Sequence, residues 1–235
     1  MRQWLSLPED VRPPTRRRVD LGEMMEAEST VFVVDDDADL RESLGWLLES
    51  AGLRVKSYST AQEFLTEYKS EEPGCLLLDV RMPGLSGLDL QEELRRRGVP
   101  PPIIIMTGHA KVPMAVRALK GGAIDFIRKP FRDQALLERI RQAIDLDRRT
   151  RQVRMECTKF AALLTYLTPR EREVMDLVIA GKPNKIIASD LGISPKTVEI
   201  HRGRVMEKMQ VESVADLVRL DLLWKANGAE GVDSE

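Results

Sequence analysis

Cys75-Leu76-Leu77-Leu78-Asp79, followed by Val80-Arg81-Met82-Pro83-Gly84, is the stretch that decides how this chain folds. Four consecutive apolar residues before a carboxylate describe a buried β-strand whose last residue emerges at the edge of a sheet. Pro83 and Gly84 then turn the chain away, since neither suits the interior of a central strand. In open α/β sheets the working groups gather in the crevice at the carboxyl ends of the strands. Asp79 stands at such an end.

The same alternation extends to both sides. Val31-Phe32-Val33-Val34 is a β-rich run ending in Asp35-Asp36-Asp37, and Leu40, Leu44, Leu47 and Leu48 recur at helical spacing until Gly52. Val55 to Tyr58 is a second strand, and Ala61, Phe64, Leu65 and Tyr68 line the next helix. Downstream of Asp79 come a helix from about Leu88 to Arg97, the strand Ile103-Ile104-Ile105-Met106 ending in Thr107, a helix over Met114–Lys120, and a fifth strand, Ile124 to Ile127, ending near Lys129-Pro130. Strands alternating with helices predict parallel βα units with helices on both faces, here a doubly wound five-stranded domain over residues 30–145.

Beyond residue 145 the chain becomes densely charged. A long helix is expected here, with apolar positions Leu136, Ile140, Ala143 and Leu146 and then Val153, Cys157, Phe160 and Leu164, and its stretch 146–164 is assigned as a helical linker. The last four are spaced like a coiled-coil seam, whereas the dense charge of Asp145–Arg154 equally suits a flexible connector. A second, all-α domain over 165–226 begins at Thr168-Pro169-Arg170-Glu171, with Thr as N-cap, Pro at the first helical position and Glu at the third. Helices are predicted from there to Gly181, over Asn184–Leu191 with Ile186, Ile187 and Leu191 inward, from Ser194-Pro195 to about Met209, and from Ser213 to about Trp224 with Val214, Leu217, Val218 and Leu222 inward. Two helices separated by Gly192-Ile193-Ser194 match a helix-turn-helix, whose second helix enters the major groove of DNA.

The ends and the bulk composition add less. Residues 1–29 are expected to be a disordered tail in which Arg16-Arg17-Arg18 is a solvated charge run rather than a DNA-contacting arm, and Met24 or Met25 is an alternative translation start. Residues 227–235 are expected to fray. The 235 residues carry a net charge of −2, 43% hydrophobic and 31% charged residues, the profile of a soluble protein with real cores. No run approaches the length of a membrane span, and Cys75 and Cys157 are read as small buried residues of a reducing, cytoplasmic compartment.

Parallel pairing would bring Asp35, Asp36, Asp79, Thr107 and Lys129 to one rim. Gathered carboxylates repel unless a hard cation sits among them, and oxygen ligands with open water positions suit Mg²⁺. Lys129 supplies a point charge for phosphoryl oxygens, Thr107 a hydroxyl donor, and a carboxylate can itself accept a phosphoryl group. Each has a plainer reading: Asp37 and Asp39 as helix N-terminal charges, Thr107 as a turn residue.

Val33-Val34-Asp35-Asp36, Leu78-Asp79 with Met82-Pro83-Gly84 and Gly87, Met106-Thr107-Gly108-His109, and Asp125-Phe126-Ile127-Arg128-Lys129-Pro130-Phe131 resemble a response-regulator receiver domain. Leu167 to Glu173 and Thr197-Val198-Glu199-Ile200-His201-Arg202 resemble the LuxR-type output domain of the FixJ/NarL subfamily. The resemblance implies that Asp79 accepts phosphate from a sensor histidine kinase. Asp36, Asp79 and the Arg81 backbone carbonyl would bind Mg²⁺ directly, and Asp35 mainly through water. Lys129 would pair with the phosphoryl group, its bond to Pro130 being cis, and Thr107 and Phe126 would form a switch pair. Phosphorylation would favour a homodimer; Arg81 and His109 would flank the site, His109 being weighed chiefly as a surface residue.

In the output half, Lys182, Lys185, Lys196, Arg202, Arg204 and Lys208 outnumber Asp190, Glu199 and Glu207 by three, a modest surplus for a module used in two copies. By resemblance Lys196, Thr197 and Ile200 would approach base edges, and His201 and Arg202 the phosphate backbone; Arg204 shares their exposed face. The implied partners are promoter DNA and RNA polymerase, with no membrane. The function so implied is transcription control, not metabolic turnover. A dehalogenase-like phosphohydrolase would need a carboxylate two residues after Asp79, where Arg81 stands, and a phosphate-independent adaptor would not need the complete set of rim residues.

Overall fold

The structure, a computed structural model, describes residues 29–98, 100–108 and 112–228. The expectations for the tail at 1–28, including Arg16–Arg18 and the alternative start, for His109, and for 229–235 lie outside the described residues. The chain divides into two compact units, Met1–Arg148 and Arg149–Glu235.

In the first unit β1 (Thr30–Val34), β2 (Arg54–Tyr58), β3 (Gly74–Asp79), β4 (Ile103–Thr107) and β5 (Asp125–Arg128) form one sheet in the order β2-β1-β3-β4-β5. Every pairing is parallel, and the registers Val34↔Leu78, Asp79↔Met106 and Thr107↔Arg128 align the carboxyl ends along one rim. This is a doubly wound order whose switch point lies between β1 and β3. The helices are α1 (Ala38–Ser50), α2 (Ala61–Glu67), α3 (Gly87–Arg96), α4 (Val112–Lys120) and the first half of α5 (Asp133–Leu164).

Two cores sandwich the sheet because both faces of its central strands are apolar. Phe32, Leu76, Leu78 and Ile105 meet Phe64, Leu90 and Ala118 on one side. Val31, Val33, Leu77 and Ile104 meet Leu44, Leu48, Leu136 and Ile140 on the other. Cys75 is fully buried in that second core, where desolvation pushes its thiol far above the ordinary range.

The second unit holds the rest of α5 with α6 (Pro169–Ile179), α7 (Asn184–Leu191), α8 (Pro195–Lys208) and α9 (Val214–Gly228). Thr168 and Glu171 complete the expected capping box at α6. Gly192 ends α7 at φ 65°, a left-handed conformation that glycine adopts without penalty, and Ser194 caps α8. Val174, Val178, Ile187, Ala188 and Val198 lock α6, α7 and α8 together, while Phe160, Met175, Val205, Met209 and Leu217 close the other core.

Several sequence expectations change. The helical linker is present but starts earlier than residue 146: α5 is one helix of 32 residues, and its N-terminal half belongs to the first unit, which runs to Arg148. Asp147 is buried and accepts a hydrogen bond at 3.0 Å from the Gly74 amide, which rules out a flexible connector there. Phe160 and Leu164 are not a free coiled-coil seam, since they pack into the core of their own domain. Of the residues expected inward, Ile187 and Leu217 are fully buried, whereas Ile186 and Leu222 are 46% and 61% exposed. Helix α9 continues through Asn227 to Gly228 rather than fraying at 227, with the Trp224 ring against Phe160 and Asn227 Nδ2 donating to the Leu223 carbonyl.

Candidate functional site

β1 and β3 are neighbours in register, so the residues that follow their last apolar positions, Asp35 and Asp79, emerge side by side. Both are buried, at 1% and 6% exposure. Lys129, just after β5, reaches across the rim between them: its ammonium donates at 2.6 Å to Asp35 Oδ2 and at 2.6 Å to Asp79 Oδ1. The cis Lys129-Pro130 bond expected by resemblance is present, and the Lys129 amide donates to the Thr107 carbonyl at 2.8 Å.

Each carboxylate has a second, local donor. The Asp37 amide donates to Asp35 Oδ1 at 3.1 Å, and the Arg81 amide to Asp79 Oδ2 at 2.5 Å. The turn after β3 is tight enough that Gly87 is required at the head of α3. A Cβ there would lie 2.0 Å from the Asp79 carbonyl oxygen.

Burial raises the Asp35 carboxyl above its ordinary value, opposed by the hydrogen bond from Lys129. Burial alone would lower the Lys129 ammonium, but hydrogen bonds and attraction from Asp35 and Asp79 outweigh it, so its pKa rises. The ammonium is therefore held charged. Two buried carboxylates against one cation leave an excess of negative charge, and exposed Asp36 adds to it.

That donor set fits a hard divalent cation. It offers oxygen only and carries surplus negative charge, and Mg²⁺ needs only one or two carboxylates because it keeps several waters. Among the described residues no three or more acidic, His or Cys groups are gathered so as to hold a metal ion by themselves, so the backbone and water would supply the remaining ligands.

Thr107 is buried at the end of β4, one residue beyond the position paired with Asp79. Phe126 is half-buried in β5, packed with Met114 against the first core. The rim thus brings together Asp35, Asp79 and Lys129 by direct contact. It places Asp36, Arg81 and Thr107 at the same edge and Phe126 on the adjoining face.

Sequence reading missed Arg41, whose Nη1 donates to the Asp35 backbone carbonyl at 2.6 Å. It lies six residues from the strand-end acid whose carbonyl it bonds, and no motif marks it.

In the second unit α8 presents Lys196, Ile200 and Arg204 to solvent, Ile200 at 50% exposure, with Thr197 and His201 half-buried beside them. Thr197 Oγ1 shares a hydrogen bond with Ser194 at 2.8 Å, and Lys196 pairs with Glu199 at 2.9 Å. Arg202 is half-buried, and its guanidinium donates at 2.8 Å to Asn184, tying α8 to α7. Lys208 is half-buried and ties α8 to α6. It holds the buried Glu171 carboxylate at 2.6 Å and keeps it ionised down to about 2, with the Thr168 amide as second donor. Lys182 pairs with Asp190. Lys185 and Arg204 make no ion pair among the described residues.

Matches to known proteins fall on the two units separately. Residues 31–141 match the response regulator receiver domain, and residues 165–220 match the bacterial regulatory proteins of the luxR family. Nodulation protein W of Bradyrhizobium diazoefficiens is 48% identical over 193 residues, covering 82% of this chain and 85% of that protein. Transcriptional regulatory protein FixJ of the same bacterium is 45% identical over 196 residues, 83% of this chain and 96% of FixJ. Among solved structures, the response regulator StyR matches with a TM-score of 0.73 at 47% identity, over 83% of this chain and 98% of that one. No helix among the described residues is long and apolar enough to cross a membrane.

Proposed function

The chain belongs to the transcriptional response regulators of two-component systems that join a receiver domain to a LuxR-type DNA-binding domain, and from that membership we propose that Asp79 is the residue that receives the phosphoryl group. The observation that carries this reading is the Lys129 ammonium held 2.6 Å from both Asp35 and Asp79. It is a fixed positive charge aimed at the atom on which dianionic charge would develop, and phosphoryl transfer depends mostly on such positioning and neutralisation.

In the proposed reaction an Asp79 carboxylate oxygen attacks the phosphorus of a phosphohistidine on the sensor kinase. The new O–P bond forms as the P–N bond breaks, and the imidazole leaves with its electron pair. Asp36, Asp79 and the Arg81 carbonyl would hold Mg²⁺, which when bound supplies charge neutralisation. Lys129 exchanges part of its contact with Asp79 for the phosphoryl oxygens, and the Arg81 amide orients the remaining carboxylate oxygen. Arg81, two residues on, carries no acid to protonate a leaving group, which favours a written signal over metabolic turnover.

The added charge, close to −2 on an acyl phosphate, favours an inward position of the Thr107 hydroxyl, and Phe126 follows into the space vacated. Val116 and Leu119 on α4 and Ile124 just before β5 are exposed by 45%, 50% and 36%, and apolar surface on these elements supports them as the surface where two receivers meet. Pairing receivers would bring two α8 helices to one two-fold DNA site. Lys196, Thr197 and Ile200 then approach base edges, the exposed Ile200 suiting a thymine methyl, while His201 and Arg204 lie toward phosphates. The reading places the protein in the cytoplasm, with RNA polymerase as the machinery it recruits or blocks.

The test is treatment of the full chain with acetyl phosphate and Mg²⁺, followed by intact mass. Wild type should gain one phosphoryl group and Asp79→Asn none. Equal uptake by the Asn variant would remove Asp79 from its proposed role.

A further inference from the structure

The acidic turn at the end of β1 is held by its two flanks. On one side the Asp35 amide makes the last rung to β2, donating to the Tyr58 carbonyl at 3.3 Å. On the other, Asp37 is fixed three ways: its amide donates to Asp35 Oδ1, and its side chain and carbonyl accept from the Leu40 and Arg41 amides at 3.1 Å each. Between them Asp36 is exposed and makes no hydrogen bond among the described residues.

The position of the Asp36 carboxylate is therefore inherited from the peptide plane that precedes it, the Asp35 carbonyl joined to the Asp36 amide. That carbonyl lies beyond the last ladder pair, Val34↔Leu78, so no strand supplies it with a donor. Arg41 does, through Nη1 at 2.6 Å, a charge-assisted bond from the first turn of α1.

We propose that Arg41 is a positioning residue for the divalent cation: by clamping the Asp35 carbonyl it fixes the peptide plane that presents Asp36. The proposal rests on the reading of Asp36 and Asp79 as cation ligands. Its consequence runs against simple electrostatics. A guanidinium close to a cation site repels the cation, so a role by charge alone makes its removal tighten binding. A clamp makes its removal weaken binding, because partners that orient metal ligands are typically worth about 10–100-fold in affinity.

The experiment is direct Mn²⁺ titration of the full chain, read from the electron paramagnetic resonance signal of free Mn²⁺, with urea melting to check each variant's fold. Arg41→Ala should raise the Mn²⁺ Kd about tenfold, equivalent to about 1.4 kcal/mol. Arg41→Gln, which keeps a donor without the charge, should fall between Ala and wild type, and it decides the matter alone if the Ala variant does not fold. A Kd at or below wild type in a folded variant overturns the proposal. Asp36→Asn separates the underlying reading: if it leaves Mn²⁺ affinity unchanged, the ligand assignment itself is wrong, whatever Arg41 does.

Discussion

Glu171→Gln isolates one charge that holds α8 against α6. In wild type the Glu171 carboxylate, buried at 2% exposure, takes the Lys208 ammonium at 2.6 Å and the Thr168 amide at 2.9 Å, joining the head of α6 to the end of α8. Glutamine keeps an acceptor for the Thr168 amide and loses only the charge. The carboxyl is pulled from its usual 4.5 to about 2. At 1.36 kcal/mol per pH unit that corresponds to about 3 kcal/mol. Lys208 is 34% exposed, so solvent screening reduces the expected cost of the substitution to about 2 kcal/mol.

The sign comes from linkage. A carboxyl whose folded value is depressed contributes stability that is present above its unfolded value near 4.5 and is lost as pH falls toward 2. The variant should thus be less stable than wild type at pH 7, with the gap closing between about pH 5 and pH 2. Urea unfolding at pH 7, 5 and 3, followed by Trp224 emission in a Trp4→Phe, Trp46→Phe background, reports on the domain concerned. A variant as stable as wild type at pH 7, or one destabilised equally at every pH, would refute the reasoning.

Gly87→Ala places a Cβ against the Asp79 carbonyl and should cost roughly 1–3 kcal/mol while slowing phosphoryl uptake; urea melting and intact mass check both effects. Phe160→Ala empties a fully buried position in the second core and should destabilise that domain by roughly 3–5 kcal/mol, whereas Leu146→Ala, 44% exposed, should be close to neutral by the same urea titration. Arg204→Ala should weaken DNA binding and lower the salt slope by about one, while Lys208→Ala should lower stability and leave that slope unchanged.

The strand ends were legible because a doubly wound sheet places every carboxyl terminus on one rim, so an acid, a threonine or a lysine after an apolar run has a known address. The helix boundaries of the DNA-binding half were legible from local chemistry: Thr168 with Glu171, Ser194 with Pro195, and Gly192. Contacts between distant residues were not. Nothing near Glu171 announces Lys208, nothing near Gly74 announces Asp147, and the apolar spacing of Phe160 and Leu164 is the same whether they meet another chain or their own domain. Ile186 and Leu222 went astray for a related reason. The phase of a buried stripe is set by the neighbouring helices, not by the helix itself. Arg41 was hidden because its partner is a backbone carbonyl, which has no sequence.

The most direct test of a phosphorylation-controlled DNA-binding switch is retention of fragments of the source genome by the full chain, before and after acetyl phosphate with Mg²⁺. Wild type should retain a specific set of fragments more tightly after treatment, and Asp79→Asn should behave like untreated protein under both conditions. Retention that ignores treatment in wild type, or that rises equally in the Asn variant, would contradict the account.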